Sequence, residues 1–213
     1  MARNQGGAAE KKAAPNKHQQ KTEATKRKLL KSALRVFSRD GFEAARIEDI
    51  AADAGHSRGA FYAHFQTKED LFFALLEEQA QQRVEELRSE LGGCATEAEK
   101  LEVLRGFYAR LARNRQFPIL ILEFKLYALR HPKLRAKLAE AHRSIRQKIK
   151  WDAAESLWPD RLRCAPAESH VRKLMMHVAL NGLVIERAYD PTSLSQETLE
   201  RELQKLFDFV MAS

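Results

Sequence analysis

Arg58 is the residue in this sequence whose side chain and setting are best suited to recognition chemistry. Its guanidinium group can donate two hydrogen bonds to the O6 and N7 atoms of guanine, and the alternative is a contact with a DNA phosphate. Gly59 and Ala60 follow it, and their small size would let the backbone approach DNA closely. The methyl group of Ala60 could also contact that of a thymine. If these residues lie on the exposed side of a helix, we expect them to contact DNA.

The stretch 46–65 predicts such a helix as the second of a pair. Gly55 can adopt the left-handed conformation that ends a helix, and Ser57 then serves as the N-cap of the next one. Phe61 and Phe65, four residues apart, give this second helix one apolar stripe. The first helix has its apolar residues on one face, Ile47, Ile50, Ala51 and Ala54. The pattern is that of a helix-turn-helix, whose second helix lies in the major groove.

Five segments of this region resemble the DNA-binding domain of the TetR/AcrR family of bacterial transcriptional regulators. They are GF at 41–42, IEDIA at 47–51, AG at 54–55, SRGAFYAHF at 57–65 and TKEDL at 67–71. The resemblance covers roughly the first third of the ordered chain, and the remainder matches only in architecture. It implies a homodimer that binds DNA through its amino-terminal domain and a small molecule through its helical body.

The resemblance also implies DNA contacts for further residues. Tyr62 and His64 match positions that contact the DNA backbone in the family. Lys68, at the amino end of the next helix, is expected to contact a phosphate. Arg46 and Glu48 depart from the family pattern; Arg46 is expected to contact a phosphate, and Glu48 to repel DNA. The predicted DNA-binding residues are Arg46, Ser57, Arg58, Gly59, Ala60, Tyr62, His64 and Lys68.

The positive net charge of the sequence favours binding to a polyanionic partner such as DNA. The sequence has 37 Lys and Arg against 29 Asp and Glu, a net charge of +8. Basic residues concentrate in the segment that leads into the helix-turn-helix, at Lys11, Lys12, Lys17, Lys21, Lys26, Arg27, Lys28 and Lys31. A basic arm beside a DNA-binding motif is the favoured interpretation, and a solvated tail is the alternative.

Helical periodicity extends through the rest of the chain, and no segment has the alternation of a strand. We therefore predict an all-α fold of about nine helices. Residues 1–21 form a disordered basic arm, 22–67 a three-helix DNA-binding domain, and 68–213 a larger ligand-binding and dimerisation domain. The first helix is predicted from about residue 23, the sixth after Pro118, and the seventh from Leu134 to Leu157.

The sequence offers little for catalysis, metals or membranes. No apolar run approaches the ~18 residues needed to span a bilayer, and nothing resembles a signal peptide, so we expect a cytoplasmic location. Cys94 and Cys164 form no metal-binding pattern and are expected to be reduced. The histidines lack metal-ligand spacing, and no phosphate-binding loop follows a strand. We expect neither a cofactor nor enzymatic activity.

The eighth helix, predicted at about 167–189, is apolar on nearly all sides in its second half. It is therefore expected to contact both its own core and a partner subunit, although a helix buried within one subunit is the alternative. Gly182 favours close approach of two backbones. The predicted interface residues are Val178, Gly182, Ile185, Leu199, Leu203 and Phe207. Two DNA-binding domains held this way would bind a near-palindromic operator.

The ligand site that the resemblance implies has candidate residues in helices five to eight. They are Phe107, Tyr108, Phe124, Tyr127 and Trp151, with His177 and Asn181 as polar groups. Plain core packing is the alternative for each. Glu123, if buried there, would favour a cationic ligand. The resulting hypothesis is a repressor released from DNA by an apolar or aromatic effector. The alternative is a DNA-binding regulator without a small-molecule inducer, controlled by a protein partner or acting as an activator.

Overall fold

Nine helices make up most of residues 16–148, 159 and 166–212, the part of the chain that the computed structural model describes. They are α1 (Lys17–Asp40), α2 (Ile47–Asp53), α3 (Arg58–Tyr62), α4 (Lys68–Gly92), α5 (Glu97–Arg113), α6 (Gln116–Arg130), α7 (Pro132–Lys148), α8 (Pro166–Tyr189) and α9 (Gln196–Ala212). No strand occurs in these ranges. The predicted all-α fold is confirmed. We call α1 to α3 the head and α4 to α9 the body.

Helix α1 begins at Lys17, earlier than the start at about residue 23 that the sequence predicts. The side chain of Asn16 accepts a hydrogen bond from the Gln19 backbone at 2.9 Å, and the Gln19 side chain accepts one from the Asn16 backbone at the same distance. This capping box satisfies two amides that a helix would otherwise leave free. Residues 17–21, predicted to be disordered, are therefore helical, while residues 1–15 lie outside the described part.

Other helix ends follow their local signals. Thr67 and Thr96 cap α4 and α5 by accepting hydrogen bonds from the backbone N–H of the third residue of each helix. Helix α6 instead starts at Gln116, before Pro118, because a proline in the first turn removes an N–H that has no helical partner there. The predicted end of α7, at Leu157, falls outside the described residues.

Within the described part of the chain, the buried apolar residues form two cores that meet along α4. The first joins the head to the body, because Phe37 and Phe42 pack together with Phe72 of α4 and Phe124 of α6. It reaches Val84 on α4. The second contains residues of α4, α5, α8 and α9, namely Leu87, Leu91, Leu101, Leu104, Phe107, Ala112, Met176, Leu180, Val184, Leu199, Leu203, Phe207 and Val210. The head is thus continuous with the body through α4 and α6.

The second core changes the predicted dimer interface. Leu199, Leu203 and Phe207 are at most 1% exposed and pack within the subunit. The apolar stripe of α9 packs against α5 and α8, so these three side chains cannot contact a partner subunit. They no longer belong to the interface that we propose below.

Candidate DNA-binding surface and its link to the body

The turn between α2 and α3 is built by its own backbone. Gly55 has a φ angle of 72°, which favours glycine, and its N–H donates to the Ala52 carbonyl at 2.9 Å. The hydroxyl of Ser57 then accepts from the Ala60 N–H at 3.2 Å and caps α3. Phe61 is fully buried and anchors α3 in the head. The predicted helix-turn-helix is therefore present, with Ser57 acting as its cap.

Helix α2 is fastened to α1 by two polar contacts. The buried hydroxyl of Ser32 donates to the Ile50 carbonyl at 2.7 Å. Nearby, the Nε of Arg35 donates to Asp53 at 3.0 Å. These contacts hold α2, the helix that precedes α3, against α1.

Arg58 is exposed at the start of α3 and has two partners within the head. Its Nη1 forms an ion pair with Glu48 of α2 at 2.8 Å, and its Nη2 lies 3.4 Å from the hydroxyl of Tyr62. The guanidinium carbon lies 5.5 Å from the centre of the Tyr62 ring. The hydrogen bond to Tyr62 and the charge of Glu48 raise the pKa of Arg58. Glu48 is therefore an ion-pair partner of Arg58, a role that its departure from the family pattern did not predict.

The remaining predicted contacts differ in how accessible they are. Tyr62 and Gly59 are exposed, as is Arg46 at the start of α2, while Ala60 and His64 are half-buried. The side chain of Arg46 makes no capping hydrogen bond to α2. Arg58 and Tyr62 lie one helical turn apart on α3 and touch, so they form one polar patch.

Lys68 is directed into the head rather than outward. Its ammonium group donates to the carbonyl of Glu43 at 2.8 Å and to that of Ala45 at 3.0 Å, and it lies 4.9 Å from the centre of the Phe42 ring. Burial lowers the pKa of Lys68. The lysine thus ties the loop between α1 and α2 to α4, and the predicted phosphate contact gives way to this structural role.

Glu123 of α6 also contacts that loop. Its Oε2 accepts a hydrogen bond from the Phe42 N–H at 2.8 Å. The carboxylate lies against Gly41, where a Cβ atom would come within 3.1 Å of Oε2, and the φ angle of 80° at Gly41 also favours glycine. The predicted position of Glu123 in a ligand cavity is therefore replaced by a connection between body and head.

Phe124 and Tyr127, predicted to line a ligand site, belong to the same connection. Phe124 stacks on Phe72 with the ring centres 4.1 Å apart. The hydroxyl of Tyr127 donates to Glu69 at 2.7 Å, and its ring lies 5.1 Å from that of Phe42. Burial, together with the hydrogen bond to Glu69, raises the pKa of Tyr127 to about 12. Both aromatic residues therefore pack at the junction of α4, α6 and the head.

The other predicted ligand residues are separated from these two. Phe107 is buried in the second core, and the Tyr108 ring packs 5.5 Å from that of Phe207. On α8, exposed His177 and half-buried Asn181 are hydrogen-bonded to each other at 3.0 Å. Trp151 lies outside the described residues. The structure thus does not bring the described members of the predicted set together into one site.

Helix α8 carries an exposed apolar stripe. Its members are between 42% and 56% exposed, and they are Val171, Leu174, Met175 and Val178. The stripe continues to Gly182, which is exposed and has open space where a side chain would project, and to half-buried Ile185. Contiguous apolar side chains exposed along one helix make this stripe a candidate surface for binding another protein.

Within the described ranges, no cluster of three or more His, Cys, Asp or Glu residues could hold a metal ion. Among those same residues, no helix combines the length and apolarity required to cross a bilayer. Cys94 is a free thiol, and Cys164 falls in a segment that is not described.

A helix-turn-helix with an exposed arginine at the start of its second helix is typical of DNA-binding regulators. The family model "Bacterial regulatory proteins, tetR family" matches residues 29–75, which run from α1 into α4. The HTH-type transcriptional repressor NicS of Pseudomonas putida is 30% identical over 146 residues, covering 66% of this chain and 69% of NicS. The chain belongs to the TetR family and is a DNA-binding transcriptional regulator.

The HTH-type transcriptional repressor AcnR of Corynebacterium efficiens is 29% identical over 180 residues, covering 84% of this chain and 88% of AcnR. The HTH-type transcriptional regulator YerO of Bacillus subtilis is 42% identical over a shorter stretch of 52 residues, which is 18% of its length. Solved structures match over most of the chain. A TetR-family regulator from Rhodococcus sp. has a TM-score of 0.66 and 21% identity, covering 89% of this chain and 99% of its own. FadR of Bacillus subtilis, solved with stearoyl-CoA, has a TM-score of 0.58 and 19% identity. The match covers 87% of this chain and 97% of the FadR chain. At these identities the structures show a shared fold.

Proposed function

We propose that the protein is a homodimeric repressor that leaves its operator when a small molecule binds the body. The observation that carries this proposal is the connection from α6 to the head, in which Glu123 accepts a hydrogen bond from the Phe42 N–H. Helix α6 is hydrogen-bonded to the loop leading into α2, so a displacement of α6 can be transmitted to the DNA-binding surface. NicS is a named repressor and FadR was solved with an acyl-CoA, which supports the same assignment.

DNA binding rests on the polar patch of α3. Arg58 and Tyr62 are exposed and adjacent, and α3 is held rigidly by its Ser57 cap and by buried Phe61. In a helix-turn-helix this helix enters the major groove. Arg58 then either donates to a guanine or contacts a phosphate, and Tyr62 is placed to donate to the DNA backbone.

Dimerisation rests on the exposed stripe of α8. Val178 is 56% exposed, and neighbouring Gly182 leaves room for a partner backbone. Two copies related by a two-fold axis would cover this stripe by placing the same surface of each subunit in contact. Such a dimer holds two α3 helices at a fixed spacing, so its operator is expected to be near-palindromic.

Effector release would follow from a shift in population between two body conformations. A ligand that prefers the conformation with weak DNA binding favours it in proportion to its differential affinity. About 1.4 kcal/mol of that difference changes operator affinity roughly tenfold. Helices α4 and α6 would carry the shift, because both contact the head through Phe72, Phe124 and Phe42.

The test has two stages, both with the full-length protein. Selection from a random DNA pool should enrich a near-palindromic site, and a compound screen should then find small molecules that release the protein from it. If no DNA is enriched, the assignment of α3 as the DNA-reading helix is wrong. If DNA is enriched but no compound releases the protein, the alternative holds, a regulator controlled by a protein partner or acting as an activator.

A further inference from the structure

Arg83 of α4 has an unusual environment for an arginine. Its side chain is half-buried, and its guanidinium carbon lies 4.5 Å from the centre of the Phe117 ring at the start of α6. A cation over an aromatic face is attracted by the ring's quadrupole, but this attraction replaces only part of the hydration that burial removes. The guanidinium group therefore has an unused capacity to bind an anion.

No carboxylate in the described part of the chain lies within salt-bridge distance of Arg83. Burial lowers the pKa of Arg83, and Glu86 on the same helix raises it by less. The first turn of α6, which carries Phe117, contains no acidic residue. Other arginines of the body do have such partners: Arg105 pairs with Asp208, and Arg110 with Glu90. Among the residues that the structure describes, Arg83 is thus a partly desolvated charge without a salt-bridge partner.

The position of Arg83 is also distinctive. Val84, the next residue, is the last buried residue of α4 in the first core, and Leu87 is the first in the second core. Phe117 packs against the first core from α6. The guanidinium group therefore lies inside the body where the two cores meet, next to the helix whose far end contacts the head.

We infer that the effector is an oxyanion with an apolar portion, whose acidic group binds Arg83 while its apolar portion contacts Phe117. This inference rests on the proposed function and names the chemical class of its ligand. A planar guanidinium group can donate two parallel hydrogen bonds to a carboxylate, sulfonate or phosphate. An anionic effector takes the place of the cationic ligand expected from Glu123, because the Glu123 carboxylate accepts a hydrogen bond from the Phe42 N–H.

The experiment uses two fluorescent probes that differ by one group. 8-Anilinonaphthalene-1-sulfonate carries a sulfonate, and N-phenyl-1-naphthylamine is its neutral counterpart. Both are titrated into the full-length parent, into Arg83→Met and into Arg88→Met. Methionine keeps an apolar stem at either position. Arg88, more exposed on the same helix and paired with Glu85, is the matched control for loss of a positive charge.

We expect the parent and Arg88→Met to bind the sulfonate probe at least tenfold more tightly than the neutral one, and Arg83→Met to lose this preference. Circular dichroism and operator binding establish that each variant is folded. Equal affinity of the parent for both probes, or an unchanged preference in Arg83→Met, overturns the inference. So does an absence of probe binding to the parent.

Release of the protein from its operator by screened compounds tests the role of Arg83 separately from the proposed repressor function. Compounds that release the parent should be anionic and should require at least tenfold higher concentration with Arg83→Met. A neutral or cationic compound that releases both proteins equally overturns the role of Arg83 and leaves the ligand-responsive repressor intact. A screen in which no compound releases the parent counts instead against the proposed function.

Discussion

Glu123 of α6 accepts a hydrogen bond from the Phe42 N–H at 2.8 Å, across 81 residues of sequence. Phe42 is fully buried, and its N–H would have to give up this partner if α6 moved away. A buried donor left without a partner is costly, so the position of α6 and the conformation of the 41–42 turn are energetically coupled.

Replacing Glu123 tests this coupling. Glu123→Ala leaves the Phe42 N–H without an acceptor and should lower the free energy of unfolding by ~1–3 kcal/mol. Glu123→Gln is the matched control, because its amide oxygen can still accept and the shape is kept. Chemical denaturation measures both. Equal stability of the alanine variant and the parent would show that the contact contributes nothing.

The contact between Tyr127 and Glu69 should depend on alkaline pH. The pKa of Tyr127 is raised from 10 to about 12, so folding favours the neutral phenol. The contribution of the neutral Tyr127 side chain to the free energy of unfolding is fully present below pH 10 and is lost as the pH rises through 12. The stability advantage of the parent over Tyr127→Phe should therefore shrink above pH 10 in denaturation experiments. A constant difference between pH 8 and 12 would contradict this.

Arg58 and Lys68 should behave differently when truncated. Arg58→Ala should weaken operator binding roughly tenfold or more if the guanidinium group contacts a guanine. Lys68→Ala should mainly lower the unfolding temperature, because its ammonium group binds the carbonyls of Glu43 and Ala45. The salt dependence of DNA binding is expected to stay unchanged in the lysine variant. A shallower salt dependence would instead assign Lys68 to a phosphate.

Glu48 should influence specificity through Arg58. Its ion pair must be broken or rearranged when Arg58 contacts an operator base, so Glu48→Gln removes a cost of that contact and should strengthen operator binding more than non-specific binding. Asp49→Asn is the matched control, since it removes the same charge from the same exposed turn and Asp49 has no ion pair with Arg58. Affinities for operator and random duplexes measure the ratio. If both variants change the ratio equally, Glu48 acts only through general repulsion.

The exposed stripe of α8 provides the test of dimerisation. Val178→Glu places a charge on a side chain that is 56% exposed, so it should disrupt the dimer while the subunit stays folded. Leu203→Glu is the contrasting variant, because Leu203 is 1% exposed and a charge there should unfold the protein. Analytical ultracentrifugation and circular dichroism distinguish the two effects. A monomeric parent, or a dimeric Val178→Glu, would contradict the proposed interface.

The sequence by itself determined those features that depend on neighbours within a few positions. The cap at Ser57, the turn at Gly55 and the cap at Thr96 each involve hydrogen bonds between residues three to five apart. Local backbone geometry and apolar periodicity therefore sufficed to predict the helix-turn-helix and the all-α body. The capping box at Asn16 and Gln19 carries an equally local signal, although the prediction missed it.

Only the tertiary structure decided which apolar stripe faces the core and which side chains meet across the chain. Leu203 and Val178 have the same helical spacing as their apolar neighbours, yet one is buried in the subunit and the other is exposed. Periodicity marks a face without stating what covers it. Likewise, the partners of Lys68 and Glu123 lie 23 to 81 residues away, and an ionised side chain suits DNA, a ligand or a backbone group equally until packing places one of them within reach.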